Sequence, residues 1–161
     1  MYNSYARTSG ALSLTKGILE NVIVSSSEKT LVHIHRIARI GVAATWIYHG
    51  LIPKVIFRDW SEMTLLHDLG VDIQFVPMLL QNMGYAEIAF GVLILTIWHG
   101  RWQLWATIGI MIGGLLSIAH HSPATFHAAF NPVSLNGLML VLAVIGLLSQ
   151  PPRTIKNQAV S

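Results

Sequence analysis

The chain has 161 residues, of which 53% are hydrophobic and 11% charged, with a formal net charge of +3 and no cysteine. An average soluble domain carries roughly a quarter charged residues, so this composition, with a mean hydropathy of +0.56, points to a small polytopic membrane protein. The missing thiols exclude disulfides, thiolate nucleophiles, iron–sulfur clusters and dithiol relays together, and basic residues scattered beside apolar segments fit the positive-inside rule, not nucleic-acid binding.

Residues 1–33 read as a polar, irregular cytoplasmic tail; its apolar patch, Ile18 to Val24, is too short for a signal-peptide core and has no small-residue cleavage site. Residues 34–149 read as a four-span membrane domain and residues 150–161 as a short cytoplasmic tail. Span one, about Ile40 to Phe57, carries His49, Pro53 and Lys54 inside its apolar run, which predicts a broken or kinked end. Ser61 to Leu69 reads as a short amphipathic helix capped by Ser61, stopped at Gly70 and lying along the membrane surface. Span two, about Met78 to Trp98, holds one acid, Glu87, near its centre. Span three, about Trp102 to Ala119, follows the turn His99-Gly100-Arg101, too short for anything but an antiparallel pair. Span four, about Val133 to Leu148, follows a polar connector and ends at Pro151 and Pro152. The fold class expected is all-α: a transmembrane antiparallel four-helix bundle with a short amphipathic helix in the outer loop between spans one and two.

Orientation follows from the basic residues. With both termini cytoplasmic, Arg7, Lys16, Lys29, Arg36, Arg39, Arg101, Arg153 and Lys156 lie inside, eight of the ten, and Lys54 and Arg58 fall toward the outside. Trp98, Trp102 and Trp105 flank the inner turn, and Trp60 the outer loop, where amphipathic indoles prefer to sit.

Helices in lipid associate chiefly by close packing, so small residues mark the touching faces. Gly41, Thr45 and His49 share a face of span one, Gly84, Glu87 and Gly91 one of span two, and Gly109, Gly113 and Ser117 one of span three. A carboxylate near a bilayer centre costs a few kcal/mol unless it is neutral or paired. For Glu87 the available cations are His49 and Lys54, and the donors are Asn82, Asn136 and Tyr48. Glu87 with His49 would form a proton-handling or ligand-binding pair, or else a satisfied polar knot that fixes helix order. Lys54 reads as a snorkelling lysine, unless a kink turns its ammonium inward to Glu87. Asn131 reads as the cap of span four with Pro132 as first residue, and Asn136 as a polar contact across the bundle. His120, His121 and His127, with His67, lie toward the outer side in a spacing that matches no closed metal site, so neither metal nor haem is expected. The polar residues thus gather in an outer-half chamber, with the inner half almost wholly apolar.

Three strings carry a resemblance: Trp46-Ile-Tyr48-His49-Gly50-Leu-Ile-Pro53-Lys54, Gly84-Tyr-Ala-Glu87-Ile-Ala-Phe-Gly91 and Phe130-Asn131-Pro132-Val-Ser-Leu-Asn136. Over roughly residues 35 to 148 the chain resembles the DoxX-like family of small four-helix membrane proteins. The resemblance implies a bundle in a bacterial cytoplasmic membrane, mostly of undefined activity. More distant relatives are associated with sulfur-compound oxidation coupled to quinone, or are fused to nucleotide-binding domains that this chain does not carry. His49, Lys54, Glu87, Asn131 and Asn136 match the family's polar motif positions. The function expected is non-enzymatic on its own: binding of a lipid-like or quinone-like molecule, or of a partner subunit or second copy, in the outer chamber. The alternative is the membrane subunit of a quinone-linked oxidoreductase, with Glu87 and His49 handling protons.

Overall fold

In the computed structural model, which describes residues 3–98, 100–121, 123, 126 and 132–150, the chain is all-helical. Helix α1 runs from Asn3 to His49 and passes directly into a π-helical segment, Gly50–Ile56. There follow α2 (Trp60–Asp68), α3 (Val76–Thr96), α4 (Trp102–His121) and α5 (Pro132–Leu148). Helices α3 and α4 are long and apolar enough to cross a membrane, and Ile23–Ile56 with α2 forms a third, broken element bent by 90°. The 17 residues of α5 are apolar but shorter, about 26 Å at 1.5 Å per residue, at the lower limit for a span.

The N-terminal segment departs from the expected irregular tail. α1 holds 47 residues, about 70 Å in length, against a hydrocarbon core of about 30 Å. Between Asn3 and His49 there is no proline, so nothing in the covalent chain interrupts the ladder of backbone hydrogen bonds. Polarity kept residues 3–33 out of the expected span, but polarity does not break a helix.

α1 packs against α3 and α5, α4 against α5, and α2 against α3 and more lightly against α4. The core repeats at helical spacing: Val42, Ala43 and Trp46 from α1, Leu104 and Met111 from α4, and Met139, Ala143 and Leu147 from α5, with Ile94 of α3 closing it. Gly91 lies so close to α1 that a Cβ there would stand 2.7 Å from Ile47 Cγ1 and 2.8 Å from the Ala43 carbonyl. The small-residue face expected of α4 is wrong, because a Cβ at Gly109 or Gly113 would meet open space. The face that packs is Leu104, Thr107, Met111 and Ile118, and Leu104 reaches α5 at Gly146, where an added Cβ would stand 3.1 Å from its Cδ1.

Leu66 of α2 sits with Val76 and Leu80 of α3 in a second, smaller core. Asp59, not Ser61, caps α2: the Ser61 N–H donates to Asp59 Oδ1 (2.9 Å) and the Ser61 hydroxyl donates to the same oxygen. The helix starts one residue earlier than the sequence reading places it, which makes the aspartate the last non-helical residue and the better acceptor. Gly70, with φ of +90°, terminates the turn after α2.

Candidate functional site

The junction of α1 with the π-helical segment builds the site. In an α-helix the ring of Pro53 would clash with the carbonyl four residues back, and its missing N–H would leave that carbonyl unpaired. The chain answers with a wider turn, Phe57 N–H donating five residues back to the Ile52 carbonyl (3.0 Å) and Asp59 N–H to the Pro53 carbonyl (2.7 Å). An α-helical continuation would set Lys54 roughly 140° from His49 around the axis; the slower winding of a π turn brings it back toward the His49 face. Lys54 is therefore buried and is not a snorkelling residue.

Gly50 and Gly84 let this segment meet α3 backbone to backbone. A Cβ on Gly84 would lie 2.7 Å from the Gly50 carbonyl and 2.9 Å from Lys54 Cβ. One turn along α3, Glu87 receives the ammonium: Lys54 Nζ is 2.9 Å from Oε1 and 2.9 Å from Oε2. Glu62 of α2 approaches the same nitrogen at 3.6 Å, and the side chains of Lys54, Glu87 and Glu62 are 6%, 17% and 28% exposed. Among the described residues the partner of Glu87 is Lys54, and no hydrogen bond joins it to His49.

This cluster faces a cavity of about 1100 Å³. His49, Tyr48, Lys54, Glu87 and Asn136 all line it, so five of the six residues singled out in the sequence converge on one space; Asn131 lies outside the described residues. Trp60, Ser61, Glu62, Thr64, Leu65 and Asp68 of α2 form one wall, and Ile110, Met111, Ile118, Leu135 and Met139 an apolar one. Trp46 separates the cavity from the core, held edge-on to Phe90 (5.2 Å between ring centroids) while its Nε1–H donates to Thr107 Oγ1 (3.1 Å). His120 and His121 stand ring against ring, exposed, at the end of α4, and His67 is exposed on α2; His127 lies outside the described residues.

The opposite end of the bundle, expected from the sequence to be almost wholly apolar, buries His35, Arg39 and Gln103. Arg39 is fully buried, donating from Nη1 to the Gly100 carbonyl (2.7 Å) and from Nη2 to those of Ile94 (2.9 Å) and Ile97 (2.8 Å). The guanidinium also lies 5.7 Å from the Trp98 ring. It thus caps the C-terminal end of α3, where orphan carbonyls and the helix dipole favour a cation. Gln103 Nε2 donates to the Ile97 carbonyl as well (3.1 Å), and His35 Nδ1–H donates to that of Gly146 (2.7 Å).

Sequence reasoning missed Glu62 and Arg39. Arg39 stands four residues before Ala43 and seven before Trp46, on the packing face of α1, so helical spacing held the signal that its position at the end of a span obscured. Glu62 carries no such mark, because only the 90° bend before α2 turns it toward Lys54.

Apolar helices of spanning length, packed round a buried ion pair that opens onto a cavity, define a small multi-pass helical membrane protein. The sequence model of the DoxX-like family matches residues 43–144, and the chain belongs to that family. The match takes in every residue of the cavity cluster and stops short of His35 and Arg39. Neither a curated protein nor a solved structure gives a match.

Proposed function

We propose that this DoxX-like protein holds a lipid-like or quinone-like molecule in the cavity, its polar head toward Lys54, Glu62 and Glu87 and its apolar body along Met111, Ile118 and Met139. The observation that carries this reading is that the Lys54–Glu87 pair opens onto about 1100 Å³ of space instead of being packed over. An ion pair that served only to fix helix order would gain from closure, since every unfilled volume forfeits packing contacts. Small-molecule sites are typically about 300–1000 Å³, mostly apolar and provided with a few convergent polar groups. The distribution of basic residues supports an orientation with both termini inside, which would put the cavity in the outer half, and the resemblance to the DoxX-like family implies a bacterial cytoplasmic membrane. A partner subunit or a second copy could dock on the same side.

A second reading, the membrane subunit of a quinone-linked oxidoreductase, is favoured by one observation: His49 and Glu87 line the same cavity. It requires an electron-donating partner, since the chain has no cysteine to hold a redox centre. The test of the binding reading is extraction of lipid-soluble molecules from protein purified in mild detergent, with absorbance and mass detection, comparing the wild type with Glu87→Gln. A defined lipid or quinone retained near one per chain by the wild type and lost in the variant supports it; nothing retained by an equally folded wild type refutes it.

A further inference from the structure

The two spanning helices beside the cavity part company away from their connecting turn. Near Gly100 they are tied. Trp102 lies against Phe90 (6.2 Å between ring centroids), Gln103 Nε2 donates to the Ile97 carbonyl (3.1 Å), and Arg39 donates to the carbonyls of Ile97 (2.8 Å) and Gly100 (2.7 Å). Beyond that end the backbones of α3 and α4 do not approach each other closely. Helical spacing carries the two facing stripes onward: Ala86 and Met83 stand four and seven residues before Phe90, and Ile110 seven after Gln103, each on the same side of its helix. In a closed pair these residues would be buried. Instead Met83 is 37% and Ile110 51% exposed, Ala86 is exposed too, and Ile110 also lines the cavity. A Cβ on Gly114, one turn further along the cavity wall, would meet only Asn136 Nδ2, at 4.0 Å. A residue that both lines the cavity and is half exposed marks an opening, here between α3 and α4. Met83 and Ile110 lie near the middle of helices of spanning length, so the opening faces hydrocarbon, not water.

We propose, resting on the reading of the cavity as a binding site, that this gap is its entrance from the bilayer and that the occupant is an acyl lipid. One acyl chain lies between Met83 of α3 and Ile110 of α4, and the head reaches toward Lys54, Glu62 and Glu87. A space open at mid-depth fills with chain, because a void there forfeits dispersion contacts along its whole lining. The bilayer presents acyl chains to it in large excess over isoprenoid ones. Of the two classes named above, this favours the lipid-like over the quinone-like.

The test places the full chain in phosphatidylcholine vesicles doped with a phosphatidylcholine that carries a photoreactive diazirine midway along one acyl chain. Cross-linked residues are read by mass spectrometry. Met111 and Met139, 8% and 2% exposed on the cavity wall, should be labelled, whereas Val42, 0% exposed and outside the cavity lining, should not. Leu116, 67% exposed to lipid, is the internal standard. Ala86→Trp adds bulk at an exposed position in the gap and should lower labelling of Met111 and Met139 about tenfold relative to Leu116. Val92→Trp, at a position 47% exposed and about 120° further round α3, should change nothing. Because the chain has no cysteine, Met83→Cys with Ile110→Cys, bridged by a reducible thiol cross-linker, should give the same loss and recover on reduction. Labelling of Met111 and Met139 that survives both closures, or that never exceeds Val42 in the wild type, overturns the entrance. Loss of labelling on adding an equimolar isoprenoid quinone overturns the acyl lipid as occupant. The extraction experiment decides separately whether the cavity holds any amphiphile, so the inference can fail while the binding reading stands.

Discussion

Removing Lys54 while leaving its two carboxylates in place is the most direct test of how the site is held together. Lys54→Met keeps the length and apolar stem of the side chain and deletes only the ammonium. Glu87, 17% exposed and bound to Lys54 through both oxygens at 2.9 Å, then becomes an uncompensated buried acid; breaking a buried pair from one side typically costs about 3–5 kcal/mol. Glu62, 28% exposed and 3.6 Å away, behaves more like a surface partner, contributing less than about 1 kcal/mol. Lys54→Met should therefore lose about 3 kcal/mol. The double variant Lys54→Met with Glu87→Gln should recover most of that, because a hydrogen-bonding amide replaces a stranded charge. A double-mutant cycle read by reversible unfolding in mixed micelles, followed by tryptophan fluorescence, gives the coupling directly. A Lys54–Glu87 coupling below about 0.5 kcal/mol, or one smaller than the Lys54–Glu62 coupling, would refute the assignment of Glu87 as the principal partner.

The same unfolding assay checks the close approach of α3: Gly84→Ala should lose about 2 kcal/mol through overpacking against Gly50 and Lys54, whereas Gly113→Ala, with open space around it, should stay within about 0.5 kcal/mol of wild type. Arg39→Lys should lose about 2 kcal/mol, since one ammonium cannot reproduce a planar fork reaching the Gly100, Ile94 and Ile97 carbonyls. Hydrogen bonds from Ser61 hold the Asp59 carboxyl below its ordinary range, so its capping of α2 is fully present above the unfolded-state pKa of about 4 and fades as pH falls through the lower folded value. Trp60 fluorescence should titrate there, and Asp59→Asn, which still accepts from Ser61, should abolish that titration without unwinding α2. Because the chain has no cysteine, single cysteines at Ser61 and Arg101 report sidedness; an impermeant maleimide added to intact cells should label only the first, and the reverse pattern would invert the proposed orientation.

How much of this could be read from residue order depends on whether the relevant contact is local. The boundaries of α3, α4 and α5 fall within a few residues of the apolar runs because hydropathy and Pro and Gly punctuation are local signals. The convergence of His49, Lys54, Glu87 and Asn136 was legible because polar residues on the packed faces of apolar helices have few places to go. The choice of Lys54 over His49 as the partner of Glu87 was not, since it depends on the extra residue per turn that Pro53 forces into the end of α1. Nor was the open environment of Gly109 and Gly113, because a glycine marks close approach only where a second backbone arrives, as Gly50 and Ala43 do at Gly84 and Gly91.

The buried arginine at the far end of the bundle bears on how the protein is made. The carbonyls that accept from the Arg39 guanidinium lie 55, 58 and 61 residues later in the chain, and Glu87, which pairs with Lys54, follows that lysine by 33. When α1 leaves the ribosome, Arg39 has none of the carbonyls that accept from it and Lys54 can reach only Glu62, its more distant and more exposed partner; each cation then costs up to about 2.5–3.5 kcal/mol, the value for a charge at the centre of an inserted helix. Stable seating of the first segment therefore waits for the third. A chain ended after Asp72 should integrate poorly, and one ended after Trp105 should integrate well, in a membrane-insertion reporter assay; equal integration of the two would show that α1 settles unaided. Order of synthesis and order of insertion need not coincide, and here α3 is the element whose arrival fixes the membrane position of a helix made before it.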